Sequence, residues 1–127
     1  MPRDPNIPDE FEVYTMVLLR ANPDRPQISD EALDELQARH LAYRADLRRA
    51  GVLVANGPLA EQSDDSMRGL SIFACDLKEA ARLSDLDPSV QAGRLVYDVF
   101  EWWMAAGTIA FPASDRPVGD RRVMSDD

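Results

Sequence analysis

The sequence predicts a single α+β domain, a four-stranded antiparallel sheet with two helices on one face. Three observations predict it. Four segments are rich in β-branched and aromatic residues, which is strand chemistry. Two segments between them carry caps and charges suited to the helix dipole. Finally, 127 residues, 45% hydrophobic and 29% charged, suffice for one core burying about two-thirds of the unfolded surface and leave no room for a second.

Residues 1–10, MPRDPNIPDE, hold three prolines and several charges and are expected to be a disordered lead-in. The ordered domain is expected over 11–112. FEVYTMVLLR (11–20) reads as the first strand and ANPDRPQ as a loop. Ser29 then offers an N-cap, Asp30 and Glu31 suit the positive end of a helix, and Arg44, Arg48 and Arg49 suit its negative end before Gly51 stops it. VLVANGPLA (52–60) reads as a second strand with an Asn-Gly-Pro break, EQSDDSM as a solvated hairpin loop, and GLSIFAC (69–75) as a third strand. Asp76 with Glu79 makes a start resembling a capping box for a helix through about Leu86. Asp87 suits the N-cap and Pro88 the first position of a further helical turn, with Gly93 as its stop. RLVYDVFEWWM (94–104) is the fourth strand. The apolar patch Ile109 to Phe111 is expected to pack, and 113–127 to form a mobile acidic tail. The order strand, helix, strand, strand, helix, strand is the split βαβ arrangement of ferredoxin-like folds.

The first strand carries Phe11, Val13, Val17 and Leu19 on one face and Tyr14, Met16 and Leu18 on the other. In the last, Leu95, Tyr97, Val99 and Trp103 oppose Val96, Phe100, Trp102 and Met104. Helices cover only one face, so the other is expected to pair with a second copy in a homodimer, with tryptophans near the shared surface.

A net charge of −9, from 23 acidic against 14 basic residues, argues against nucleic-acid and anionic-membrane partners. The single cysteine, Cys75, excludes an intramolecular disulfide and reads as a small buried hydrophobe rather than a reactive thiol. One histidine and one cysteine show no metal-ligand spacing, and Gly57-Pro58 lacks the pattern of a phosphate-cradling loop, so neither metal nor cofactor is expected. With no apolar signal segment in the first ten residues, a cytoplasmic location is the expectation.

The most informative residue is the lone histidine. His40 lies in the stripe Leu33, Leu36, His40, Tyr43, Leu47, where a hydrocarbon is expected. An imidazole there needs a partner, because leaving its nitrogens unpaired costs about 1–3 kcal/mol.

RHLAYRADLRRAGVLVANGPLAE, followed by GLSIFACDLKEAARLSDLDPSVQAGRLVYDVFEW, resembles the YciI-like family, also called YCII-related domains, over residues 11 to about 105. The marks are His40, the Ala-Gly-Val-Leu turn at 50–53, Gly57-Pro58, Gly69-Leu70, and Asp87-Pro88 before Ala92-Gly93. The resemblance implies a ferredoxin-like dimeric α+β barrel whose cleft holds a His-Asp pair, carried by position onto His40 and Asp87. One branch of that family has Asp-Gly-Pro-Phe where this chain has Asn56-Gly57-Pro58-Leu59, so no role of that acid or ring is carried over.

A carboxylate bonded to one imidazole nitrogen fixes the tautomer and leaves the other to move a proton near neutral pH. Without a nucleophile motif, such a pair suits isomerisation, elimination or lactone-type chemistry on a small, cyclic substrate. The bland alternatives are a core histidine bonded to a carbonyl and an aspartate that only caps. Tyr14, Tyr43 and Tyr97 could line a pocket or simply pack. A non-catalytic homodimer that binds a small molecule is the competing function.

Overall fold

A computed structural model describes residues 4–112. Its elements are β1 (Phe11–Ala21), α1 (Asp30–Arg49), β2 (Leu53–Pro58), β3 (Met67–Phe73), α2 (Leu77–Asp85), the single turn α3 (Pro88–Gln91) and β4 (Leu95–Ala105). The expected tail, 113–127, and the first three residues of the lead-in lie outside the described residues.

The strands form one sheet in the order β2-β3-β1-β4, every neighbouring pair antiparallel. This is the ferredoxin-like α+β arrangement that the order of elements predicts. β1 is central because its residues are apolar on both sides. Val17 and Leu19 on its helix-facing side join Leu47, Leu53, Phe73, Ala80 and Leu83 in the core, with Tyr43, Cys75, Tyr97 and Val99 packed around them. Val17 and Phe73 are fully buried. Each such side chain contributes about 1.5–3 kcal/mol by leaving water.

Caps fix where the helices begin. The side chains of Ser29 and Asp76 accept from the N–H of Ala32 and Glu79, each three residues on. Only half of the expected capping box forms, because the Glu79 carboxylate accepts from Arg82, at 2.7 and 2.8 Å, instead of reaching back. β3 also begins and ends two residues earlier than the sequence suggests. Its end is drawn off the sheet as the Thr15 hydroxyl donates to Cys75 O at 2.6 Å, steering the chain into the Asp76 cap. Its start is extended across a bulge that leaves Arg68 as the extra residue between Met67 and Gly69.

The helix-free face presents Met16, Leu18, Val96 and Phe100, the last two substantially exposed. The two tryptophans lie on opposite faces, as strand alternation requires. Trp102 faces Tyr14 in register on the helix-free side, and Phe111 stacks edge-on against Tyr14 at 5.1 Å, so the patch at 109–111 does pack. Trp103, 57% exposed, overhangs the helix side with Phe11 as an edge-on partner at 5.6 Å. The opposite placement of the two indoles is the one that the alternation along the strand predicts.

Candidate functional site

The tight junction between α2 and α3 builds the site. Leu86 caps the C-terminus of α2, and Asp87 follows at once as the N-cap of α3, with Pro88 at the first helical position. The Asp87 N–H donates to Ser84 O, and the Asp87 carboxylate accepts from the Ser89 N–H at 2.9 Å. Because α3 packs on α1, the capping side chain points under α1 and is completely buried.

Two α1 residues, one helical turn apart, meet it there. His40 Nδ1 lies 2.9 Å from both Asp87 oxygens, and Arg44 Nε donates to Asp87 Oδ2 at 3.0 Å. An ionised carboxylate only accepts, so Nδ1 carries the proton and Nε2 is the nitrogen left for other chemistry. Arg44 Nη1 donates onward to Ser71 Oγ on β3 at 3.0 Å, and its guanidinium stands 5.9 Å from the centre of the Phe73 ring. Arg44 is 3% exposed, and among the described residues its Nη2 has no hydrogen-bond partner.

Burial by itself would push the Asp87 carboxyl up. The His40 hydrogen bond and charge, the Ser89 N–H and the Arg44 guanidinium outweigh it and hold the group below the usual carboxylate range.

Outside this cluster a cavity of about 410 Å3 opens between α1 and the sheet. His40 and Arg44 line it, as do Leu33, Leu36 and Leu41 from α1 and Leu19, Gly69 and Ser71 from the sheet. Leu33 was expected in the core stripe but is 39% exposed, because the N-terminal half of α1 stands over the cavity rather than on the sheet.

Both sequence-predicted site residues are thus in contact. Reasoning from sequence missed Arg44, which it assigned to the helix dipole; the available signal was its position four residues after His40, on the same face. It also missed Ser71, and Arg68, which the bulge places on the cavity wall. None of the three tyrosines lines the cavity. Tyr43 donates to Leu83 O, Tyr97 to Ala81 O and Asp85, and Tyr14 to Glu12. Burial and the neighbouring acids Glu79 and Asp76 push the Cys75 thiol up, away from reactivity. Among the described residues no group of three or more His, Cys, Asp or Glu could hold a metal, and no helix is long and apolar enough to cross a membrane.

A split βαβ sheet with a buried carboxylate under its first helix and a cavity beside it defines a small ferredoxin-like α+β protein. The chain belongs to the YCII-related domain family, whose model matches residues 13–103. Among solved structures it is similar to 5-chloro-2-hydroxyhydroquinone dehydrochlorinase (TftG) from Burkholderia phenoliruptrix, in complex with 2,5-dihydroxybenzoquinone, at 21% identity and TM-score 0.51, covering 70% of this chain and 92% of that one. A mutant of SnoaB, a cofactor-independent oxygenase from Streptomyces nogalater, matches at 16% identity and TM-score 0.43 over 76% of this chain and 96% of that one. No curated protein sequence matches the chain.

Proposed function

We propose that the protein is a cofactor-free enzyme in which His40 moves a proton on a small cyclic substrate seated in the cavity. The observation that carries this reading is the attachment of His40 Nδ1 to both oxygens of Asp87 while the imidazole lines the cavity. Nε2 takes a proton from an acidic C–H or O–H, and the imidazolium that forms sits against the Asp87 carboxylate. Return of the proton at another atom is an isomerisation; departure of a leaving group instead is an elimination. Asp87 acts as a positioning residue, fixing tautomer and ring orientation. A dehydrochlorinase solved with a quinone makes ring-sized ligands the first class to try.

The test is deuterium uptake by a panel of enolisable ring ketones, lactones and hydroxylated haloarenes, followed by proton NMR. His40→Ala is expected to slow exchange by about 10²–10⁴-fold, the usual contribution of a general base. Exchange at the wild-type rate in that variant sinks the reading. The second reading, a non-catalytic small-molecule binder, draws on the saturation of Asp87 by His40, Arg44 and Ser89, which is also how a purely structural clamp is built. A panel member that raises the melting temperature yet is recovered undeuterated favours it.

We also propose that the helix-free face pairs with a second copy. Met16, Leu18, Val96 and Phe100 lie on that face around the Arg20–Asp98 ion pair, with Val96 and Phe100 40% and 38% exposed.

A further inference from the structure

The cavity has a sign opposite to that of the molecule. The chain carries 23 acidic and 14 basic residues, yet among the described residues the cavity lining includes Arg25, Arg44, Arg68, Arg94 and His40 and no carboxylate. Asp87 lies behind His40 and Arg44 and is consumed by them. The outer three arginines each donate to a neutral acceptor, Arg25 to Asn22 O, Arg68 to Asp65 O and Arg94 to Pro26 O. Deeper in, the Arg44 Nη2 donor is buried and unpaired in a side chain whose other two nitrogens are satisfied. A buried donor left in that state costs about 1–3 kcal/mol, and an acceptor entering the cavity removes the penalty.

We infer that the cavity selects a small organic anion, a carboxylate on a scaffold of about one ring, with Arg44 Nη2 and the rim arginines taking the charge and the leucines taking the ring. Leu19, Leu33, Leu36, Leu41 and Leu95 supply the apolar share of the wall, which an inorganic anion would leave uncovered. The volume of about 410 Å3 falls in the range of small-ligand sites, at its lower end. This inference rests on the reading of the cavity as the active site and names its substrate class.

Benzoate, benzamide and inorganic phosphate are the probes, titrated into the full chain and followed by amide and imidazole NMR shifts. Benzoate is expected to shift His40, Gly69 and Ser71, benzamide to bind at least about tenfold more weakly, and phosphate to fail to displace benzoate. The double variant Arg68→Gln/Arg94→Gln, on the rim and so outside the buried network, is expected to weaken benzoate by about tenfold or more. Equal affinity for benzamide, displacement by phosphate, shifts confined to other surfaces, or an unchanged double variant would each overturn the inference. His40→Ala separates the two readings. It is expected to retain benzoate binding while losing proton exchange. Retained exchange in that variant removes the proton-transfer role and leaves the anion site standing.

Discussion

Arg44 is the residue on which the site turns. It shares Asp87 with His40, so the carboxylate never faces a buried cation alone. Asp87→Ala leaves that guanidinium uncompensated and is expected to cost about 3–5 kcal/mol in urea unfolding. Asp87→Asn keeps the shape and is expected to fold with a smaller loss. The folded-state pKa of Asp87 lies below its unfolded value, so its contribution is present above about pH 4 and is lost as pH falls through the folded value. The acid limb of the stability curve should therefore flatten in Asp87→Asn, and an unchanged limb would show that the carboxylate is not holding the fold. Tyr97 gives the opposite sign. Burial and the Asp85 hydrogen bond push its hydroxyl up to about 12, so the stability it contributes is intact below about pH 10 and fades as the pH rises toward that value. Ultraviolet titration should find the Tyr97 phenol ionising late, and Asp85→Asn should bring it down. His40 was legible in the sequence through a polar residue in an apolar stripe and Asp87 as a cap before proline, while their pairing was what the family resemblance implied. Arg44 was not, because a basic residue near a helix C-terminus already has an ordinary explanation.

At the level of elements, caps and glycines were the most readable features, and strand ends the least. Ser29, Asp76 and Asp87 all cap where the sequence places them, since each function needs only a short polar side chain and three following residues. The bounds of β3 depend on a hydroxyl from β1 and on a bulge against β1, both of them long-range facts. Gly93 shows how a turn can serve the site. Its φ of +73° is left-handed, and it ends α3 just before Arg94 while its carbonyl accepts from Asn22. A Cβ there would meet Pro26 at an ordinary 3.7 Å, so Gly93→Ala should cost only the backbone strain, about 1–2 kcal/mol. A much larger loss in thermal unfolding would mean that the loop from Asn22 to Pro26 had moved as well.

For the molecule as a whole, fold class was readable because element order restricts the topology to few choices. The two-sided apolar pattern of β1 carries equal information about the core and about the uncovered face. The homodimer proposed on that face predicts that Phe100→Lys shifts light scattering at micromolar concentration toward the monomer. Wild-type protein that is already monomeric there removes the proposal.

The Arg44 clamp spans 27 residues to Ser71 and 43 to Asp87, joining the first helix, the third strand and the last helical turn. No one of these can come away without breaking the network, so the site is expected to fall in the unit that opens last in native-state hydrogen exchange. A ligand of the proposed class is then expected to leave through the mouth of the cavity rather than by local fraying. Its rate should be insensitive to urea well below the unfolding midpoint, where a site built on loose loops would release faster with every increment.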